Sequence, residues 1–318
     1  MKNPTTTQCF AIGAALLCAT SASYAASLPY LGGNNVDTNW NVDANWTGGS
    51  VPTSGDTALI NQNQRTFVED NVNFGGVLTN QDSAAGSTSV VDVRTGGTLA
   101  VSTASNGTVS GGDGVINVTG GTMSASGSVI NHGTINLSSG TLSLFNNTSS
   151  SNGDKALAAA GGILNVTGGA LIAGANKTGG NLSFRSSVVI SGGSFTTTGS
   201  QTFFTDGASL TINGDAATIG FDSLVQNRAA RAADFNFNFG ATGVSAVGSS
   251  GFMSIWNATI NVDGSGYTGG AAVFDLFTSS SFLDGAVFAG QSVTGFTGLN
   301  GVVSASGNNL ILTLTELP

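Results

Sequence analysis

Carboxylates are the main reactive side chains in this chain, and they are scattered. Seventeen aspartates and glutamates stand against eight lysines and arginines and one histidine in 318 residues. Cleaving a polysaccharide takes several carboxylates converging on one face, or carboxylates holding calcium beside a basic residue. Here Asp92, Asp113, Asp154, Asp206, Asp215 and Asp263 are dispersed, mostly beside glycine where the chain turns. Asp92 and Arg94 form the one acid–base pair on a repeated strand, and they read as an exposed structural pair. Asp222, Arg228, Arg231 and Asp234 surround a predicted helix and read as its solvated face. His132, within Val129-Ile130-Asn131-His132-Gly133, reads as an exposed turn residue without a Ser–Asp partnership. Gly111-Gly112-Asp113-Gly114 is a single acidic glycine turn, too little for a calcium roll. No catalytic, cofactor or metal site is expected.

What remains is a polar row repeated along the chain: Asn117, Asn136 and Asn165, accompanied by Thr119, Ser138 and Thr167. In the structural reading, these residues supply solubility without charge, and side-chain hydrogen bonds between repeats. In the functional reading, they form a flat polar lattice for glycan contact or, less favoured, for ice. A glycan surface would ordinarily add exposed aromatics, and none accompanies this row in the three repeats. Asn117-Val118-Thr119 and Asn165-Val166-Thr167 also match the glycosylation triplet, but they fall inside the strand repeat.

The elements that must carry this row are legible from the repeat itself. Val115-Ile116-Asn117-Val118-Thr119-Gly120-Gly121-Thr122-Met123 recurs as Thr134-Ile135-Asn136-Leu137-Ser138-Ser139-Gly140-Thr141-Leu142. It returns as Ile163-Leu164-Asn165-Val166-Thr167-Gly168-Gly169-Ala170-Leu171, with looser copies near residues 91–99, 188–195, 210–217 and 259–264. Gly97, Gly121, Gly140, Gly169 and Gly193 follow one another at intervals of 24, 19, 29 and 24 residues. Strand-like units at this period indicate a solenoid. Ile116 and Val118 alternate with Asn117 and Thr119, the period of a half-buried strand. The glycines supply turns with positive φ. Stacked coils then bury Ile116, Ile135, Leu164, Val188 and Leu210 as one ladder, with Met123, Leu142, Leu171 and Phe195 turning inward after the corner. The expected fold is all-β: a right-handed parallel β-helix, about eight coils over residues 76–262. A flat antiparallel sandwich is the alternative, but it leaves the in-register motif unexplained.

Solenoid ends must cover an open hydrophobic cross-section. Residues 26–75, with Trp40, Trp46, Val51, Pro52, Ala58 and Ile60, read as an N-terminal cap and first strands. Residues 263–318 read as C-terminal capping strands, with Phe282, Phe288 and Phe296 placed to cover the last coil. Residues 223–233 (Ser-Leu-Val-Gln-Asn-Arg-Ala-Ala-Arg-Ala-Ala) read as the one helix, a side insertion.

Lys2, the apolar stretch of residues 10–19 and Ser23-Tyr24-Ala25 have the layout of a secretory signal peptide, residues 1–25, cut after Ala25. Both cysteines, Cys9 and Cys18, precede that point, so no disulfide or thiol site is expected in the exported chain. A net charge of −9 with few basic residues argues against nucleic-acid partners. No apolar run reaches the length of a membrane span.

Trp40-Asn41-Val42-Asp43-Ala44-Asn45-Trp46-Thr47-Gly48-Gly49, followed by Val51-Pro52, Gly55-Asp56 and Ala58, resembles the opening of secreted bacterial autotransporter-passenger-like and PEP-CTERM-type surface proteins. The Asn-Val-Thr-Gly-Gly-Thr-Leu-like units and the ending that runs from Phe274-Asp275-Leu276-Phe277 to Leu314 are similar too. That resemblance implies a secreted β-helix surface protein and carries over no catalytic residues. Two departures stand out: no translocator barrel, and no sorting anchor with a basic tail at Glu316-Leu317-Pro318. The function expected is a non-enzymatic extracellular structural or adhesive protein acting in surface coverage, matrix or contact. Its partners would be polysaccharide or other cell-surface components. The alternative is a carbohydrate-active β-helix that binds or cleaves a polysaccharide.

Overall fold

Strands of alternating branched and small polar residues, broken by glycine corners, wind into a parallel β-solenoid with three faces. The structure is a computed structural model that describes residues 26–32, 36–61, 63–81, 87–108, 113–145, 154–158, 161–199, 201–226, 232–284 and 289–318. The first face is an eleven-stranded sheet running from Ser27–Pro29 through Val77–Asn80 and Thr103–Asn106 to Phe282–Asp284. The second begins at Asp37–Asn39 and Arg65–Val68 and ends at Gly290–Thr294. The third runs from Asn71–Val72 and Thr98–Val101 to Ala272–Ser279. Asp113–Ala125 and Thr134–Leu144 pass continuously round the corner between the second and third faces. Between residues 76 and 262 the first face holds the eight expected coils. The stack also continues outward, with Ser27–Pro29 and Thr57–Ile60 before it and Phe282–Asp284 after it.

Register places the inward residues as the repeat requires. Val91, Ile116, Ile135, Leu164, Val188, Leu210, Phe235 and Ile260 are successive partners, all buried. Leu99, Met123, Leu142, Leu171, Phe195, Ile219, Val247 and Phe277 form the corresponding ladder on the third face. Each such side chain contributes about 1.5–3 kcal/mol by leaving water. From Phe184 onward the filling turns aromatic: Phe184, Phe195, Phe204, Phe221, Phe235 and Phe277 pack with ring centroids 5.1–5.8 Å apart, mostly edge to face.

The repeated glycines answer two demands. Gly140 sits at φ +82°, and a Cβ there would lie 2.1 Å from the Gly121 oxygen of the coil before. Gly121 has no positive φ, yet its Cβ would meet the Arg94 oxygen at 2.4 Å. Close approach of neighbouring coils therefore selects glycine at this corner as firmly as turn geometry does.

The ends are aromatic. Tyr30, Trp40, Trp46 and Phe74 close the N-terminal end with centroids 4.8–5.7 Å apart, and the Trp46 indole N–H donates to the Trp40 carbonyl at 2.8 Å. At the other end Asn309–Glu316 runs antiparallel between Ala272–Ser279 and Leu299–Ser306. Phe239, Tyr267, Phe274 and Phe296 cluster there, 5.0–5.9 Å apart. Phe296, half-buried, packs against Phe239 and Tyr267 in this cluster. Phe288 and the Phe282 side chain lie outside the described residues, as does the whole of residues 1–25.

The expected helix is corrected. Ser223–Val225 is a strand of the first face, paired with Gln201–Phe204 on one side and Phe252–Ser254 on the other, and Ala233–Asn238 is a strand of the second. The intervening residues 227–231 lie outside the described part. Two flanking strands supply Leu224 with ladder bonds and a buried slot, which outweighs the helix propensity of the alanines and arginines beyond it.

Candidate functional site

The asparagine row exists, and it is bonded from coil to coil. Asn165 Nδ2 donates to Asn136 Oδ1 at 2.9 Å, Asn136 Nδ2 to Asn117 Oδ1 at 2.9 Å, and Asn117 Nδ2 to Asp92 Oδ1 at 2.5 Å. Every donor points toward the N-terminal end, and the chain of amides terminates on a carboxylate. Asp92 in turn meets Arg94 at 3.5 Å. Arg94 also reaches Glu69 at 3.4 Å and stacks 4.3 Å above the Phe67 ring. The Asp92–Arg94 pair thus anchors one end of the row.

Thr119, Ser138 and Thr167 lie beside the asparagines and are exposed, but their alignment is broken. A register shift after Val118 sets Thr119 opposite Ser139 rather than Ser138. The extra residue is absorbed at the corner as a bulge.

Sequence reading missed how far this row extends. Register carries it from Asn165 through Val189, Thr211, Asn236 and Asn261 to Ser292. Asn236 donates to Thr211 at 3.1 Å, Asn261 to Asn236 at 2.9 Å, and Ser292 to Asn261 at 2.8 Å. Here the motif has lost its glycine pair. The remaining signal is alternation alone, in Asp234-Phe235-Asn236-Phe237-Asn238 and Thr259-Ile260-Asn261. Asn238, Asp263 and Thr294 form a second column beside it, and the two columns enclose a shallow hollow of about 290 Å³.

A further amide ladder, also missed, is interior. Asn80, Asn106 and Asn131 close successive strands of the first face and are fully buried. Asn80 Nδ2 donates to Asn106 Oδ1 at 2.8 Å, and Asn106 Nδ2 to Asn131 Oδ1 at 2.9 Å. Their second N–H groups reach the Val115 and Thr134 carbonyls of the second face. Asn80 Oδ1 lies at the end where no donor remains and has no partner among the described residues. This ladder ties two faces together across a corner.

The other candidates do not assemble. Asp206 contacts Arg185, Asp215 accepts from the Thr242 hydroxyl at 2.5 Å, and Asp263 accepts from the Ser265 N–H at 2.9 Å. Asp113 and Asp234 are exposed on strands, and His132 is half-buried rather than exposed. Asp222 accepts from the Ser250 hydroxyl at 3.3 Å. Residues 109–112, Arg228, Arg231 and the Asp154 side chain lie outside the described residues. Among the described residues no three His, Cys, Asp or Glu side chains group as a metal site requires, and no helix is long and apolar enough to cross a membrane. Fold and surface together define a parallel β-solenoid bearing hydrogen-bonded polar rows. No protein-family model, curated protein or solved structure matches the chain.

Proposed function

We propose that the protein is a non-enzymatic extracellular structural or adhesive solenoid whose second face meets an uncharged, hydroxyl-rich surface. The observation that carries this reading is the amide row from Asp92 to Asn165, continued from Thr211 to Ser292. Asn117, Asn136, Asn236 and Asn261 each spend one N–H and one oxygen lone pair on their neighbours, Asn165 spends one N–H, and the remaining groups are left for a partner. Rungs about 4.8 Å apart make the spacing regular, and eleven of them give a stack about 50 Å long. The resemblance of the opening segment to secreted surface proteins supports the extracellular setting.

The test compares wild type with an Asn117→Val/Asn136→Val/Asn165→Val variant. Retention on polysaccharide-coated surfaces and incorporation into extracellular matrix should fall in the variant while cooperative melting persists. Equal retention of the two proteins would remove the second face from the proposal. Turnover of any polysaccharide by the wild type would overturn the non-enzymatic reading.

A further inference from the structure

One column of polar side chains behaves oppositely to the asparagine row. Asn181, Gln201 and Ser223 are register partners on three consecutive coils, where each begins a strand of the first face. Their side chains therefore stand about 4.8 Å apart. Their side chains make no hydrogen bond to one another or to any other described residue, whereas each amide of the second-face row donates to the coil before it. All three line a hollow of about 470 Å³ at the corner between the third and first faces, and Asp222 completes its wall.

The hollow is held open by its backbone. Gly180 and Gly199 have φ +79° and +68°, and a Cβ on Gly199 would fall 1.9 Å from the Lys177 carbonyl oxygen. Neither glycine can take a side chain without strain. Asp222 is half-buried in the lining of the hollow, and its Oδ1 accepts from the Ser250 hydroxyl at 3.3 Å. One coil further on stands the half-buried Phe252, just before Met253, the register partner of Leu224.

We propose that this hollow binds one or two units of a neutral sugar chain, with Asp222, Gln201 and Asn181 as its hydrogen-bonding groups. A carboxylate accepts from two hydroxyls, and an amide donates to one and accepts from another, the combination that vicinal sugar hydroxyls offer. The spacing of the column is close to the length of one sugar ring. Asp222 is the one charged side chain in the lining and the chain carries −9, so acidic glycans and phosphates are repelled. A single carboxylate is too few for a calcium site. The hollow lies on a different face from the asparagine row, so it stands or falls apart from the reading above.

The experiment is calorimetric titration of the full chain, in the presence of chelator, with cellohexaose, mannohexaose and maltohexaose, with oligogalacturonate as the acidic control. At least one neutral oligosaccharide should bind and the acidic one should not. Asp222→Ala and Gln201→Ala should each weaken binding about tenfold, the loss of one good hydrogen-bonded contact. Thr218→Ala, at an exposed third-face position outside both the hollow and the asparagine row, should leave affinity unchanged, and Gln201, being exposed, can be truncated without disturbing the fold. The proposal is overturned if no neutral oligosaccharide binds at millimolar concentration, or if binding survives both substitutions. It is equally overturned if binding depends on the exposed Trp256 instead, or if calcium alone is what the chain takes up when chelator is omitted.

Discussion

Adjacent residues in one strand carry opposite consequences. Ile135 sits between Ile116 and Leu164, 1% exposed, so Ile135→Ala should cost about 2–5 kcal/mol through lost transfer energy and the cavity left behind. Asn136 would cost little if it merely faced solvent, but it donates to Asn117 and accepts from Asn165. Asn136→Asp loses the donor and sets a carboxylate against the Asn117 oxygen, so about 1 kcal/mol is expected. Asn106→Leu, in the interior ladder, strands buried groups on both neighbours and should cost about 1–3 kcal/mol. Chemical denaturation of the three variants should give the order Ile135→Ala, Asn106→Leu, Asn136→Asp; equal losses at 135 and 136 would mean the register is wrong. Among the described residues, Asp56 is the one carboxyl whose pKa clearly moves. The Thr53 N–H and hydroxyl hold it below the usual range, against a smaller opposing effect of burial. A depressed acid contributes stability above its unfolded pKa and loses it as pH falls through the folded one. Thr53→Val should therefore flatten the acid limb of the pH–stability curve below the ordinary carboxylate range.

At the scale of single elements, glycines separate into those the fold demands and those it tolerates. Gly140 combines φ +82° with a Cβ position 2.1 Å from the Gly121 oxygen, so Gly140→Ala should prise two coils apart at the corner. Gly220 lies within Ala217–Phe221 without positive φ, and its nearest Cβ neighbour would be Thr196 Cγ2 at 4.0 Å. Gly220→Ala should then be neutral or stabilising by about 0.4–1 kcal/mol, because it restricts the unfolded chain without strain. Thermal melting of the pair distinguishes them, and a loss at Gly220 as large as at Gly140 would refute the distinction.

The solenoid as a whole has one core, and its ends decide whether that core stays dry. Asn309–Glu316 brings Leu310, Leu312 and Leu314 against the last coil, all buried, and Leu299–Ser306 adds Val303. Removing residues 299–318 should uncover the rung formed by Phe274, Leu276 and Phe277. The shortened chain should associate on size-exclusion chromatography and melt over a broader range, since end coils of a repeat array lose their neighbour interface first. A monomer melting as sharply as the full chain would show that the hairpin is dispensable.

Side-chain alternation and corner glycines are local properties, so the repeat is legible in the sequence itself. Ile116, Ile135 and Leu164 had to share one side of their strands, and a motif returning at intervals of 19–29 residues had to stack. The coil count over residues 76–262 and the surface position of Asn117, Asn136 and Asn165 follow from that alone. Partnership between coils is not local. Whether Asn80 meets Asn106, or Leu224 joins a sheet rather than a helix, depends on strands about 20 or more residues away and on turns of unequal length. Tertiary structure decided those pairings, the extension of the row to Ser292 and the unfilled column at Asn181, Gln201 and Ser223. The physical reason is that a strand's own residues set which way each side chain faces, while the stacked neighbours set what it finds there.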